Sequence, residues 1–412
     1  MKKTRICIAM LLIAAVVTGA TGCTTSAKAD DLMDGIPQRF VTGRTTDANF
    51  ITHMADFSIE LFKRSIAEKD NSLVSPLSVM LALAMTANGA DGVTLSQMET
   101  LLGGDIRLSE LNEYLYSYIN GLPNAEKARL TIANSIWFRE NEDRLQIEPS
   151  FLQSNADYYN AAAHKSAFDQ QTVVDINSWA NLHTDGMIDS ILDEIDDDAM
   201  LYLINAIVFD AEWERPYDSE WDIKDMDFTD VNGLTHSIAF MNKREFLYIE
   251  DGMATGFIKP YTGGYSFVAL LPNHDVPIGA YIESLTGAGF LEMIENAQNS
   301  TIEVYMPRFE YEYEISMNEA LIALGIPDAF DDDRADFRNM AYSPEGNLYI
   351  SEVLHKTFIS VNERGTRAGA VTSVEMVTRS MTPKIRLTKP FVYAIIDDAT
   401  NLPVFVGTLM TV

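Results

Sequence analysis

The sequence predicts an α+β domain over residues 47–412, and three observations support this. Helical hydrophobic patterns come first and strand patterns are concentrated later, which is the order of an α+β chain. No internal repeat or second linker divides the segment. Of the 412 residues, 47% are hydrophobic and 22% are charged, a globular composition that can bury a sizeable core.

Three helices are predicted in the first part of this domain. Thr46 and Asp47 are good N-cap residues, and apolar side chains then recur at helical spacing over residues 50–62. A second helical pattern covers residues 77–89, and a third covers residues 108–122. All three patterns precede the first predicted strand.

Strands are predicted in the second half. Residues 201–209 form an apolar run typical of a strand that is buried on both faces, and residues 265–271 form another. Residues 310–315 alternate between polar and apolar with a period of two. Residues 391–396 and 404–409 are predicted to form a C-terminal hairpin, because a polar turn separates them.

The N-terminal segment is predicted to be separate from the domain. A positive start and an apolar run over residues 6–17 indicate that residues 1–22 are a secretory signal peptide, with a short uncleaved membrane anchor as the alternative. The small residues before Cys23 are similar to the lipobox of bacterial lipoproteins, which implies that Cys23 is lipidated. Residues 23–46 would then be a lipidated cysteine and a flexible tether to the membrane. We therefore expect an exported protein, at the cell surface or extracellular.

Charge and cysteine content narrow the possible partners. The formal net charge is −30, so a nucleic-acid backbone would be repelled and nucleic acid is not an expected partner. Besides Cys23, the only cysteine is Cys7, which leaves with the signal peptide. The mature domain therefore has no disulfide and depends on its core for stability.

No catalytic signature is present in the sequence. Nucleophile-elbow, zinc-protease and phosphate-loop motifs are missing, and none of the six histidines lies at metal-ligand spacing from another. We predict that the chain is not an enzyme, that it uses no metal or cofactor, and that it is a monomer. A lipoprotein hydrolase is the alternative from a different functional class.

One long loop is expected to carry the function. Residues 363–389 lie between predicted strands and are poor in large apolar side chains. A loop of this length inside a compact domain is usually functional. Its small, β-capable residues would let it enter a sheet as a strand, and an exposed segment of that kind is normally an aggregation hazard.

Short motifs along the chain resemble those of the serpin family, which inhibits serine proteases. Each motif is weak alone, but the ordered set is specific and spans nearly all of residues 47–412. The motifs are residues 71–78, 88–94, 176–179, 184–188, 205–209 with Trp213, 306–309, 350–356, 389–391 and 405–407. The resemblance implies a serpin fold, with helices packed around three β-sheets and an exposed reactive loop.

The resemblance also implies roles for polar and aromatic residues around the central sheet. A hydrogen-bonded shutter that controls the opening of that sheet would consist of Ser75, Ser78, Asn205 and His355. A breach, where the loop first enters the sheet, would contain Trp213 and an ion pair between Arg308 and Glu363. The alternative is that these are ordinary core or surface residues.

The loop resembles the serpin bait. Its hinge would comprise Glu363, Gly365, Thr366, Ala368, Ala370 and Thr372. In the family the scissile residue lies sixteen positions after the hinge glutamate and eleven before the proline of a Pro-Phe motif. Counting from Glu363 and from Pro390 gives Arg379 both times, so the reactive bond would be Arg379–Ser380.

The resemblance implies a suicide-substrate mechanism. A serine protease would attack the carbonyl of Arg379 and form a covalent acyl-enzyme. The central sheet is expected to have a gap into which the freed loop inserts as a strand, with Thr366, Ala368, Ala370 and Thr372 pointing inward. Arginine at the bait indicates a trypsin-like target. The alternatives are an elastase-like protease acting at Val377 or Thr378, and a non-inhibitory serpin.

The predicted lipid anchor can be tested by replacing Cys23. The variant Cys23→Ala should lose membrane association and signal processing, because the thiol that would carry the lipid is gone. Membrane fractionation, together with the mass of the mature chain, measures both. If the variant stays in the membrane fraction with unchanged processing, the lipoprotein hypothesis is wrong.

Overall fold

The computed structural model describes residues 29–140, 145–218, 221–343, 346–366 and 383–412. The predicted signal peptide and Cys23 lie outside these ranges. Within them there are nine α-helices: α1 (Ala48–Ser65), α2 (Pro76–Ala87), α3 (Gly92–Gly103), α4 (Leu108–Gly121), α5 (Pro149–Tyr159), α6 (Gln170–His183), α7 (Ile278–Ser284), α8 (Gly287–Glu295) and α9 (Asn318–Ala323). A short 3₁₀ turn follows at Pro327–Phe330. In the described part of the chain, no helix is both long and apolar enough to cross a bilayer.

The central sheet has seven strands. They are β1 (Asp30–Asp31), β3 (Ala128–Arg139), β5 (Ala162–Ser166), β6 (Leu201–Glu212), β12 (Phe309–Ser316), β14 (Glu352–Val361) and β15 (Gly365–Thr366). Their order across the sheet is β1-β5-β3-β6-β15-β14-β12. The apolar run predicted to be a doubly buried strand is β6, at the middle of this sheet.

A second sheet of nine strands and a small sheet of two complete the β-structure of the described residues. The nine are β2 (Ser72–Val74), β7 (Ile223–Thr229), β8 (Thr235–Glu250), β9 (Ala254–Pro260), β10 (Tyr265–Pro272), β11 (Gln298–Pro307), β16 (Lys384–Arg386), β17 (Phe391–Asp397) and β18 (Pro403–Leu409). The small sheet pairs β4 (Gln146–Ile147) with β13 (Ala341–Tyr342). The predicted α+β architecture with three sheets is confirmed.

Local sequence signals explain where the first two helices begin. The Asp47 side chain accepts a hydrogen bond from the backbone N–H of Phe50, which caps α1 as predicted. Ser75 caps α2 in the same way, and Pro76 supplies the fixed backbone angle that suits a first helical position. All twelve residues of α2 are buried, because the helix lies between β3 and β6 of the central sheet and β18 of the second sheet.

The expected gap in the central sheet is largely closed. β6 and β14 pair directly and in parallel, from Tyr202 opposite Glu352 to Ile207 opposite Thr357. Two facing strand edges without partners would leave buried backbone groups unsatisfied, and this pairing satisfies them. Beyond Ile207 and Thr357 the strands diverge, and β15 lies between them. We refer below to the boundary between β6 and β14 as the seam.

The segment predicted to be a loop begins and ends in strands. β15 occupies its start, and β16 near its end pairs in parallel with β11, with Lys384 opposite Glu303. The prediction of a continuous loop over residues 363–389 was therefore wrong at both ends. Its composition is weakly apolar, but the edges of β6, β14 and β11 offer unpaired backbone groups that recruit these residues into sheets.

The described part of the predicted tether contacts the domain. β1 extends the central sheet by pairing with β5, with Asp31 opposite His164. Farther along, the guanidinium of Arg39 forms an ion pair of 2.8 Å with Asp157, whose carboxylate also accepts the Arg39 backbone N–H. Residues 29–46 thus differ from the flexible linker that their polar composition predicted, because specific partners on the domain hold them.

Candidate functional site

The four predicted shutter residues lie together under the seam. Asn205 on β6 and His355 on β14 are directly opposite each other in the ladder, while Ser75 is the N-cap of α2 and Ser78 lies in its first turn. All four are fully buried. The backbone N–H of Ser75 donates to His355 Nε2 at 3.1 Å, and the Ser75 hydroxyl donates to the carbonyl of Val404. The cluster therefore joins α2, β18 and both strands of the seam.

The hydrogen bonds fix the state of the histidine. Because Nε2 accepts from Ser75, the proton of neutral His355 is on Nδ1, which donates to Asn205 Oδ1 at 2.5 Å. The amide of Asn205 then donates to Ser78 Oγ and to Asn134 Oδ1, both at 2.5 Å. Asn134, on β3, belongs to this network although no sequence motif identified it. Its position opposite Asn205 in the ladder was the only signal, and it requires knowledge of the strand register.

Burial keeps this histidine neutral. Removal from water lowers the pKa of His355 from 6.5 to about 3. Protonation would place a second N–H against the N–H of Ser75, so the neutral form is the one that the cluster accommodates. The seam is thus held by an uncharged polar network with its donors and acceptors matched.

The predicted breach residues lie where the strands diverge. The indole Nε1–H of Trp213 donates to the carbonyl of Asn362 at 2.8 Å, and the Trp213 backbone N–H donates to the carbonyl of Arg364 at 2.8 Å. The backbone N–H of Tyr217 donates to the carbonyl of Glu363, also at 2.8 Å. Residues 362–364 are therefore fixed by three hydrogen bonds from the short segment 213–217.

The predicted ion pair is present at the same place. Arg308 Nη2 and Glu363 Oε2 are 2.8 Å apart, with side-chain exposures of 38% and 21%. Partial solvent screening limits the stability that such a pair supplies, so its main effect is to orient the turn at residue 363.

The first hinge residues are already in the central sheet. Gly365 lies opposite Glu212, and Thr366 lies opposite both Ala211 on β6 and Val361 on β14. A Cβ on Gly365 would be 1.9 Å from the carbonyl oxygen of Ala211, so this close approach requires glycine. The hinge therefore starts as a strand between the two edges of the seam.

A tyrosine that the sequence did not identify holds the second hinge residue. Thr366 is 2% exposed, and its hydroxyl forms a 2.6 Å hydrogen bond with the hydroxyl of Tyr261. The Tyr261 ring stacks on Trp213 with centroids 4.2 Å apart. Tyr261 follows β9 without any local motif, and only the tertiary contact shows its relation to the hinge.

The remaining predicted site residues lie outside the described residues. They are the reactive bond Arg379–Ser380 and the hinge residues Ala368, Ala370 and Thr372. Their roles stay predictions. In the described part of the chain, the breach lies at the start of the path that a strand inserted after Thr366 would follow, and the shutter lies farther along it.

Comparison with known proteins identifies the family. Residues 52–412 match the sequence profile of the family described as Serpin (serine protease inhibitor). The chain is 31% identical to neuroserpin of Homo sapiens over 397 residues, which cover 90% of this chain and 93% of that protein. The chain therefore belongs to the serpin family. Serpins are protease inhibitors rather than catalytic enzymes, which confirms that the chain is not an enzyme.

Solved structures agree with this assignment. The native state of tengpin, a thermophilic serpin, is 53% identical and gives a TM-score of 0.91 over 93% of this chain and all of that one. The latent state of tengpin gives a TM-score of 0.81 over 90% of this chain. The arrangement described above is therefore closer to the native serpin state than to the latent one.

The buried histidine predicts a specific pH dependence of stability. Folding lowers the pKa of His355. Below pH 6.5 the histidine of the unfolded chain therefore binds a proton, whereas that of the folded chain stays neutral down to about pH 3. The free energy of unfolding is therefore not reduced by this group above pH 6.5, and below that pH it falls by up to about 1.4 kcal/mol per pH unit. His355→Gln should lose less stability on acidification than the unmodified chain.

Urea unfolding at pH 7.5 and pH 5.5 measures this difference. We expect the unmodified chain to lose about 1.4 kcal/mol more than His355→Gln between the two values. Burial also lowers the pKa of His164, but that residue is common to both proteins and cancels in the comparison. Equal losses in both proteins would show that His355 does not titrate as stated.

Proposed function

We propose that this chain is a suicide-substrate inhibitor of trypsin-like serine proteases, which it traps by inserting its reactive loop into the central sheet. The observation that carries the proposal is β15. Gly365 and Thr366 already occupy the open end of the seam, paired with β6 on one side and with β14 on the other. A strand seated at this position can lengthen into the seam once its far end is free and the seam opens.

The alternation of side chains supports an inhibitory hinge. The inward-facing position of the hinge is occupied by Thr366, which is buried. Side chains of a strand alternate between faces, so Ala368, Ala370 and Thr372 would follow Thr366 into the core as the strand lengthens. All three are small, and none carries a charge that burial would oppose.

The strand register supports a link between insertion and the shutter. Thr366 is opposite Ala211 and Val361, and one-for-one continuation of both ladders would put Thr372 opposite Asn205 and His355. Insertion to that point therefore requires the bond between Asn205 and His355 to break. The shutter would thus hold the seam closed until cleavage makes insertion favourable.

Insertion supplies the force that halts the protease. Attack on the carbonyl of Arg379 would form an ester with the catalytic serine and release the amine of Ser380. The new strand would gain antiparallel ladders on both sides in exchange for one parallel ladder. Arg379 is thirteen positions after Thr366, so insertion of this segment as a strand would carry the acylated end about 43 Å from Thr366, at about 3.3 Å per residue. A shift of about 1 Å already impairs a catalytic site by about 100-fold, so deacylation would stop.

The proposed target follows from the residue at the bait. An arginine side chain forms charge-assisted hydrogen bonds with an acidic specificity pocket, as in trypsin-like enzymes. We also propose that the protein acts as an exported monomer, tethered to a membrane through lipid on Cys23 or released as an extracellular inhibitor. The sequence of the N-terminal segment supports the proposals of export and of a lipid tether.

Incubation with trypsin tests the inhibitory function. A covalent complex that survives denaturing electrophoresis is expected, together with a released C-terminal fragment that begins at Ser380 in mass spectrometry. Arg379→Ala should lose the trypsin complex, because it removes the cation that the protease pocket binds.

Other results of the same experiment would contradict the proposal in distinct ways. Complete cleavage without a covalent complex would identify a non-inhibitory substrate. A fragment beginning at Thr378 or Arg379, with faster trapping of elastase than of trypsin, would place the reactive bond at a neighbouring residue.

A charged residue at the hinge should convert the inhibitor into a substrate. Thr366→Arg would bury a guanidinium where Thr366 now contacts Tyr261, at a cost of several kcal/mol. We expect cleaved chain to replace covalent complex on the gel. The matched control is Arg367→Glu, at the neighbouring position that would face outward, and it should trap trypsin normally. Unchanged trapping by Thr366→Arg would remove loop insertion as the mechanism.

A further inference from the structure

A buried pair of charges lies directly behind the breach. Lys259 on β9 and Glu245 on β8 are each 1% exposed, and Lys259 Nζ is 2.6 Å from Glu245 Oε1. The other carboxylate oxygen accepts a hydrogen bond of 3.1 Å from Arg215 Nη2. Lys259 Nζ also donates to the backbone carbonyl of Arg215 at 3.1 Å. The carboxylate and the ammonium thus both bind the middle of the segment 213–217.

The same ammonium lies over two aromatic rings. Lys259 Nζ is 4.5 Å from the centre of the Tyr217 ring and 5.1 Å from that of Trp213. Cations at these distances are attracted by the ring face, and more strongly where water is excluded. Trp213 and Tyr217 are the residues whose N–H groups hold the backbone of residues 362–364. We refer to the hydrogen bonds from Trp213 and Tyr217 to residues 362–364 as the hinge anchor. One buried cation therefore contacts both residues that donate these hydrogen bonds.

Stability alone does not account for such a pair. A buried ion pair often stabilises a fold no more than two packed apolar side chains of similar size. Burial also lowers the pKa of the Lys259 ammonium, and the adjacent carboxylate of Glu245 opposes this effect. An apolar pair could not attract the two rings through a charge, and it could not donate a hydrogen bond to the carbonyl of Arg215.

We propose that the Lys259–Glu245 pair is a positioning element for loop insertion, which holds segment 213–217 so that residues 362–364 present Gly365 and Thr366 to the open end of the seam. Glu245 keeps the ammonium of Lys259 in place, and this ammonium holds the rings of Trp213 and Tyr217. The N–H groups of these two residues in turn hold the backbone of residues 362–364. This inference rests on the proposed inhibitory function.

The consequence is kinetic. After the bait bond is cut, insertion competes with hydrolysis of the acyl-enzyme, and a hinge already seated at the seam gives insertion its start. A loosened anchor would let more chains be cleaved without trapping the protease. The initial attack on the bait bond does not involve this cluster, so its rate should change little.

The test compares the unmodified chain with Lys259→Met, in which an unbranched apolar side chain replaces the cation. Trypsin is titrated with each protein, and the number of inhibitor molecules consumed per protease trapped is measured beside the rate constant of the initial reaction. We expect the number consumed to rise at least threefold while the rate constant changes less than twofold. An unchanged number consumed would overturn the inference.

A double variant separates the loss of the cation from the cost of a buried carboxylate that keeps only Arg215 as its charged partner. Lys259→Met combined with Glu245→Leu leaves no buried unpaired charge and is the variant most suited to folding. If positioning depends on the cation, the double variant consumes as many molecules per protease as Lys259→Met does. If the number consumed returned to that of the unmodified chain, the defect of Lys259→Met would come only from the buried carboxylate of Glu245, and the inference would be overturned.

Tyr281→Phe controls for general destabilisation. It removes a partly buried hydrogen bond from Tyr281, a residue of α7, to Asp251, and it leaves the contacts of residues 213–217 and 362–364 unchanged. We expect Tyr281→Phe to lower the unfolding temperature and leave the number consumed unchanged; a rise as large as that of Lys259→Met would count against positioning. If the unmodified chain forms no covalent complex, the proposed function fails; if it does and Lys259→Met behaves identically, the inference alone fails.

Discussion

The direct pairing of β6 with β14 is the constraint on which the rest of the structure depends. Between Tyr202 and Ile207 these strands form a parallel ladder, although they are the two edges that an inserted strand would need. Parallel pairing is slightly weaker per residue than antiparallel pairing. In the proposed mechanism, an inserted strand would replace this one parallel ladder with two antiparallel ladders.

The two ends of the seam are controlled by different chemistry. At the closed end, the seam is held by neutral hydrogen bonds among Asn205, His355 and the first turn of α2, and burial keeps the histidine uncharged. Such a network resists opening, because each unpaired buried group would be costly. At the open end, Tyr261 stacks on Trp213 and forms a hydrogen bond with Thr366 of the hinge strand β15, and the buried ion pair of Lys259 and Glu245 lies behind these rings. In the proposed mechanism, the first network opposes insertion of the loop and the second prepares it.

The helix α2 connects these features to the core. Its twelve buried residues lie between the two large sheets, so Ser75 and Ser78 have fixed positions relative to β18 and to the seam. A hydrogen-bond cluster is selective only if its members cannot move separately. The packing of α2 supplies that rigidity, and the shutter therefore connects α2 and β18 to both strands of the seam.

Local patterns in the sequence were sufficient for the helix that begins after Asp47, for the buried strand β6 and for the family motifs. These features depend on caps and periodicity within a few residues. The strand β15, the roles of Asn134 and Tyr261, and the pairing of Lys259 with Glu245 were decided only by tertiary structure. The sequence alone predicts that a charged side chain in a strand is on the surface, because its partner on the neighbouring strand is not known. The strand edge that pairs with Gly365 is formed by residues more than 150 positions earlier in the chain. Strand register and burial are properties of the assembled sheets, and no local segment encodes them.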